Sequence, residues 1–431
     1  MSFKNISEFL ALRRNTSLLL VALVLAGTGE KLWLGFAPKY IEVLAHGVLS
    51  AAQIIMIIGV FDALQTLLGA LYAYPGGWLT DHWGQRRSLL LFSLISVAGY
   101  MVVLVWRHWL ALLFGAFLFL AWSALSLPAT LSVIATTLKS NRHTMGVGVQ
   151  SMIRRVPMML GPLIGGWLLT RYGWTDGVRY ALALCITMSL LTLAFQWFMF
   201  EPDDKSRRSR GDETQTKDGD SVRASSRRLL QSEVVVAPTF FTVVKSFTPG
   251  LRELLVSDIL IRFCEQIPYA FVVVWAIHLH GITPLQFGLL TAIEMTTAAL
   301  IYLPVARLAD RGAKKPFVVI TFIFFTAFPL VLLFSRTFPM LVVAFVLRGL
   351  KEFGEPTRKA MILDLAPADA RAATFGLYYL IRDVIVALAA FGGAWLWNMA
   401  PIINLLAATA CGAIGTIWFV EYGKEWVKPK A

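Results

Sequence analysis

For its length the chain has little charge, little cysteine and little histidine: of 431 residues 15% are Asp, Glu, Lys or Arg, three are cysteine and six are histidine. Soluble domains carry about 25% charge, so this composition excludes an ordinary water-soluble protein. Cys185, Cys264 and Cys411 fall within apolar runs without metal-ligand spacing and read as small core residues, and no metal site is expected. The histidines sit mostly near the ends of apolar runs, where a solvated role is the default. The sequence contains no glycine-rich phosphate cradle and no nucleophile elbow, so neither a cofactor nor enzyme chemistry is expected. The alternating pattern of about ten residues that marks a membrane barrel is also missing.

What is present is apolar: 57% of residues are hydrophobic, and the mean hydropathy is +0.67. The apolar runs approach the ~20 residues that a helix needs to cross the hydrocarbon of a bilayer, so the expected fold is an all-α integral membrane protein. Spans are read at 17–38, 50–79, 87–106, 109–137, 144–171 and 179–200, then at 251–279, 284–308, 316–335, 338–362, 372–396 and 400–422. Arg86, Arg87, Lys139, Arg142, Lys314 and Lys315 fall in loops that an even count puts in the cytoplasm, while the outer loops are poorer in basic residues. This bias puts both termini in the cytoplasm. Lys4, Arg13 and Arg14 precede an apolar run with no small-residue cleavage site, which reads as an uncleaved first span. The net charge of +13 is explained by these loops and by basic residues inside spans, so no nucleic-acid partner is expected.

Domain boundaries follow from composition. Residues 1–200 form a first six-helix half, 201–250 a polar cytoplasmic linker, largely disordered, 251–422 a second six-helix half and 423–431 a cytoplasmic tail. Within the linker, Val234–Phe247 has the character of a short surface helix. The halves repeat each other at a constant offset of 228 residues, the separation of Pro128 and Pro356. In the same register Gly148 meets Gly376, Ile153-Arg154-Arg155-Val156 meets Ile381-Arg382-Asp383-Val384, Gly165 meets Gly393 and Trp167 meets Trp395. Two related halves imply a site at the midplane between them.

Between spans 2 and 3 runs Gly77-Trp78-Leu79-Thr80-Asp81-His82-Trp83-Gly84-Gln85-Arg86-Arg87, and an echo of it, including Asp310, Lys314 and Lys315, lies between spans 8 and 9. Physically, Gly84 permits a tight reversal, Asp81 can cap or pair with a neighbouring helix end, and the arginines stay among anionic headgroups. The stretch resembles the G-x-L-x-D-x-x-G-R-[RK] signature of the major facilitator superfamily of transporters, departing from it at His82 and Gln85. The resemblance implies two pseudo-symmetric six-helix halves, alternating access by rocking, and a gating role for Gly77, Asp81, Gly84, Arg86, Arg87 and Asp310. In span 5, Gly148, Gly161-Pro162 and Gly165-Gly166 have the spacing of the motif that the superfamily's proton-coupled exporters carry, with Pro157 in place of its second Gly. That similarity implies an antiporter in which Gly161 and Pro162 gate; a plain small-residue packing seam is the alternative. Gly29-Glu30-Lys31-Leu32-Trp33 and Pro38-Lys39-Tyr40-Ile41-Glu42 resemble a pattern of one bacterial branch of these proteins.

Charges inside spans cost a few kcal/mol each and usually face a partner or a watery cavity. Arg348, Glu352 and Glu355 share one face of span 10, Lys351 stands four residues before Glu355, and Arg262 stands three before Glu265, so intrahelical pairing is available. Arg382 and Asp383 point about 100° apart and need not pair. Arg154 and Arg382 occupy matching places in the two halves and read as an anion-binding pair facing each other across the pseudo-two-fold axis. Lys31, Arg154, Arg262, Arg348, Lys351 and Arg382, with the aromatics Trp33, Tyr269 and Tyr378, are therefore the candidate substrate-binding residues. Glu30, Asp62, Glu265, Glu294 and Glu355 are the candidates for proton coupling, because a carboxylate in a low-dielectric cavity changes protonation when a basic neighbour is drawn away.

The function expected is secondary active transport of a small anionic or zwitterionic organic solute, coupled to protons, with export favoured, by a monomer in the lipid of a bacterial inner membrane. A multidrug/proton antiporter, a lipid flippase and a non-transporting sensor are the alternatives.

Overall fold

A computed structural model describes residues 14–124, 154–198, 247–309, 313–367 and 371–424. Residues 201–246 of the expected linker, with Lys139, Arg142, Gly148 and Asp310, lie outside the described residues, and Pro249 and Gly250 at its end open the first helix of the second half. The first half comprises α1 (Arg14–Lys31), a 3-10 turn (Leu34–Phe36), α2 (Ala37–Ala45), α3 (Ala51–Trp83), α4 (Gln85–Val105), α5 (Trp109–Phe119) and α6 (Arg155–Phe198). The second comprises α7 (Pro249–Tyr269), the turns Val272–Val274 and Trp275–Leu279, α8 (Pro284–Ala309), α9 (Lys315–Phe334), α10 (Phe338–Leu350), α11 (Glu355–Leu365), α12 (Arg371–Met399) and α13 (Pro401–Tyr422).

Eight helices among the described residues are long and apolar enough to cross a membrane, and a ninth span is the pair Pro249–Tyr269 and Val272–His278, bent by 41°. The expected twelve are accounted for in three ways. α6 carries two spans joined at Gly173, whose φ of 78° breaks the helix. Trp109–Ala124 is a shorter apolar helix, and the tenth span is divided into α10 and α11 by the unwound turn 351–354.

The helix ends follow local chemistry. Ser50 and Gln53 form a reciprocal capping box at the start of α3. Thr283 and Gln286 exchange the same kind of bonds at the start of α8. Gly84, at φ 84°, ends α3 and begins α4, so the reversal expected of this glycine is made with the conformation that only glycine adopts without strain.

The halves meet through α6 against α8 and α3 against α12. Both contacts are close because glycines face them. A Cβ on Gly166 would meet the Pro284 carbonyl oxygen and come within 2.9 Å of Leu285 Cα, and one on Gly288 would meet the Pro162 carbonyl oxygen. On the other side Gly59 lies against Ala394. These contacts belong to the end of the bundle that carries the turns 46–50 and 279–283. There one apolar cluster runs through both halves, joining Phe36, Ile58 and Phe119 to Phe271, Phe345 and Trp397. Toward the Gly84 end the buried clusters are separate, one around Leu89, Phe92 and Trp122 and one around Phe322, Ile362 and Phe419. The two halves thus share a core at one end only, as far as the described residues go.

Candidate functional site: a charged seam between the halves

Among the described residues, polar contacts cross from one half to the other at four places. Arg155 Nη2 on α6 donates to Glu352 Oε2 in the unwound turn at 2.9 Å, and its guanidinium lies 5.2 Å from the Tyr302 ring. Gln266 Nε2 on α7 donates to Asp62 Oδ2 on α3 at 2.8 Å and to Thr66 Oγ1 at 3.2 Å. At the closed end Lys39 Nζ holds Glu42 Oε1 at 2.5 Å and His278 Nδ1 of the other half at 3.0 Å. Leu285 N donates to Thr170 Oγ1 at 3.0 Å.

In the second half the intramembrane charges form one connected network. Arg358, 1% exposed, donates to Asp258 Oδ2 and, at 2.7 Å, to Glu355 Oε1. Arg262 reaches Glu265 at 2.7 Å and Glu355 at 3.4 Å. Lys351 holds Glu265 at 2.7 Å and Glu294 at 3.4 Å, and Arg348 holds Glu294 at 3.3 Å. The Arg348 guanidinium also lies among the rings of Tyr269, Phe328 and Phe345, at 5.6, 5.1 and 5.6 Å from their centroids. Each carboxylate is thereby compensated, as burial of charge in low dielectric demands.

Two groups stand outside this compensation. Arg154 makes no ion pair within 4.0 Å among the described residues; it lies within electrostatic reach of Glu30 and Lys31 on α1. Asp62, 3% exposed, has no cation within that distance among the described residues and is held by Gln266 alone. Glu30 is intermediate: one oxygen meets Lys31 Nζ at 2.9 Å and the other is buried without a hydrogen-bond partner among the described residues. Lys31 and Tyr269, whose side chain and whole residue are 32% and 48% exposed, open onto the seam.

Several sequence expectations are corrected. Arg382 and Asp383 do pair, at 2.7 Å, because the long arginine side chain bridges the angular gap between neighbouring positions. Arg382 also bonds Asp258 at 3.3 Å and is 7% exposed, so it is engaged within its own half and does not face Arg154 as an anion-binding pair. Arg348, Lys351, Glu352 and Glu355 do not pair with one another along one helix, because the turn at 351–354 separates α11 from α10: Arg348 and Lys351 meet Glu294, Lys351 also meets Glu265, Glu352 meets Arg155 and Glu355 meets Arg262. Trp33 does not line the seam: fully buried, it packs edge-on against Phe119 at 5.1 Å and Tyr100 at 6.3 Å. Tyr378 is likewise buried, its hydroxyl donating to Asp258 at 3.1 Å.

Of the expected gating residues, Gly77 and Asp81 lie in the last turns of α3. Arg86 Nη2 donates to the Trp197 carbonyl at 2.5 Å, tying α4 to the end of α6, and Arg87 is exposed. Gly161 packs against Lys31 and Gly165 against the Leu32 carbonyl, so one face of this motif closes on α1 while Pro162 and Gly166 close on α8. Sequence reasoning passed over Gln266, Arg358, Lys39 and His278; Gly354 and Pro356, which mark the break in span 10, were the available signal that Arg358 turns inward.

A polytopic helical membrane protein, built as two six-helix halves around a buried charged seam, is the class that fold and site define. The Major Facilitator Superfamily family model matches residues 57–264 and again 254–431, and the chain belongs to that superfamily, whose members are multi-pass membrane transporters. Among curated relatives, the multidrug resistance protein MdtG of Citrobacter koseri is 29% identical over 195 residues, 45% of this chain and 47% of that protein. The protein of the same name from Serratia proteamaculans is 28% identical over 202 residues, 45% of this chain and 46% of that protein. The matched stretch spans about half the length of these relatives. In fold the chain is similar to a peptide transporter POT in complex with sulfate, with a TM-score of 0.67 at 16% identity over 94% of this chain and 93% of that one. It is equally similar to the xylose transporter XylE from E. coli in its inward-open conformation, TM-score 0.67 at 14% identity over 95% and 96%.

Proposed function

We propose that this transporter exports a small organic solute bearing an anionic group, in exchange for protons, across the inner membrane of a bacterium. The observation that carries the substrate class is Arg154, which makes no ion pair among the described residues: every other cation of the seam network, Lys31 beside it included, is already held by a carboxylate, so Arg154 is the one left for a ligand's anionic group to meet. Tyr269 and Arg348 supply the opposite wall, and Asp62, without a cation, carries the proton. Both termini and the Arg86-Arg87 turn are cytoplasmic in this reading, with the polar linker 201–250 joining a half of residues 1–200 to one of 251–422. The closed end then faces outward, and the conformation is the one that loads substrate from the cytoplasm. Rocking the halves separates Gly166 from Pro284 and Gly59 from Ala394 and opens the other side. Export is supported by the Gly161-Pro162 and Gly165-Gly166 seam and by the relatives' being named multidrug resistance proteins.

A multidrug exporter is the second reading, favoured by the MdtG relatives. Untargeted metabolite profiling of cells lacking the protein beside cells overproducing it separates the two. An anionic solute retained inside the former and enriched outside the latter supports the proposal. Unchanged metabolites together with altered resistance to several unrelated drugs would favour the second reading, and accumulation inside the overproducer would reverse the direction.

A further inference from the structure

We infer that Gln266 is the positioning residue that links proton occupancy of Asp62 to closure of the two halves. Asp62 lies on α3 and Gln266 on α7, so this contact exists only while the halves are packed together at the 46–50 end. The amide nitrogen of Gln266 is shared between Asp62 Oδ2 at 2.8 Å and Thr66 Oγ1 at 3.2 Å, while the Thr66 hydroxyl itself donates to the Asp62 carbonyl at 3.1 Å. The carboxylate therefore receives an N–H from across the seam, a charge-assisted hydrogen bond that is stronger to the carboxylate than to the neutral acid.

Among the described residues the surroundings leave no substitute for that donor. Glu265, also on α7, acts on Asp62 as a like charge. On α12, Arg382 is bound to both Asp383 and Asp258; on α2, Lys39 and Glu42 are bound to each other and to His278. Arg86 on α4 is bound to the Trp197 carbonyl, Arg87 is exposed, and Trp109–Phe119 of α5 carries no charged residue. Protonation of Asp62 weakens this bond across the seam, so the state in which the halves part and the donor is lost is the one that takes up a proton from water. When they close, Gln266 returns and the proton leaves. Protonation thus belongs to the state open at the 46–50 end and release to the closed state, which is the order that proton-driven export requires.

This inference rests on Asp62 being the coupling carboxylate. Its test measures the distance between spin labels at Val48→Cys and Asn398→Cys, exposed positions on opposite halves at the closed end, in the full-length protein in lipid nanodiscs across a pH series. In the parent, acidification lengthens the distance. Asp62→Asn, which mimics the protonated group, gives the long distance at every pH. Gln266→Met, close in shape but without the donor, moves the transition toward neutral pH by about one unit, a tenfold change in proton affinity; Thr66→Val, which removes only the hydroxyl, moves it less. A Gln266→Met transition at the parent's pH, with Asp62→Asn permanently open, overturns the role of Gln266 alone. A parent-like transition in Asp62→Asn overturns the coupling role of Asp62 and this inference with it.

Discussion

Arg358 is the cation whose removal should cost most. It is 1% exposed and sits between Asp258, also 1% exposed, and Glu355, which it meets through Nη2 at 2.7 Å and Nε at 3.0 Å. Replacing it with methionine keeps the bulk and deletes the charge. Breaking a buried pair in this way costs about 3–5 kcal/mol, because the partner is left ionised in low dielectric. Here the residual partners soften the loss: Asp258 keeps Arg382 at 3.3 Å and the Tyr378 hydroxyl at 3.1 Å, and Glu355 keeps Arg262 at 3.4 Å and Lys359 at 3.5 Å. We therefore expect the lower figure, about 3 kcal/mol. Adding Asp258→Asn removes one of the uncompensated charges, so the double variant should be more stable than the sum of the single losses by about 1–3 kcal/mol. The assay is denaturation of the purified protein in mixed micelles, followed by tryptophan fluorescence, around the full double-mutant cycle. Arg358→Met within about 1 kcal/mol of the parent, or strict additivity in the cycle, would refute the reasoning that this network is held together by charge compensation.

Three further outcomes are expected. Arg155→Gln or Glu352→Gln alone strands a charge at the seam, a loss of about 2–5 kcal/mol for a buried hydrogen-bonded pair, and should slow transport sharply, whereas exchanging the two as Arg155→Glu with Glu352→Arg should restore much of the rate; transport by the three variants in vesicles is the measurement. Gly288→Leu forces a side chain onto the Pro162 carbonyl, and overpacking at about 1–3 kcal/mol should part α6 from α8, so that a cysteine placed at the buried Ile58 is alkylated about tenfold faster. Arg154→Ala should leave stability within about 1 kcal/mol, since no ion pair is lost among the described residues, yet abolish the protection against thermal unfolding expected of the proposed anionic substrate.

How much of this was legible depended on what each feature rests on. The spans, the two halves and the reversal at Gly84 follow from run length, repeat register and the freedom of one glycine, all of which are local. The Arg262–Glu265 contact, three residues apart on one helix, is local too. The remaining pairings depend on helix rotation and on where helices break. Trp33 stands in the turn that follows the end of α1 at Lys31, and that turn carries it into the first half's own core. Span 10 read as a continuous helix puts Arg358 at its end beside the exposed Lys359; the unwound turn at 351–354 instead carries it inward to Asp258. Gln266 carries no charge, so a search for intramembrane charge passes over it although it is the partner of Asp62.

The most direct test of the central claim follows proton movement in everted inner-membrane vesicles with a pH-sensitive dye, on addition of the solute that profiling identifies. Proton-coupled export predicts that the solute discharges an imposed gradient in vesicles carrying the parent protein and leaves it intact in vesicles carrying Asp62→Asn, even though the variant still binds the solute. Solute uptake into the vesicles with no movement of protons, or equal discharge by parent and variant, would contradict it.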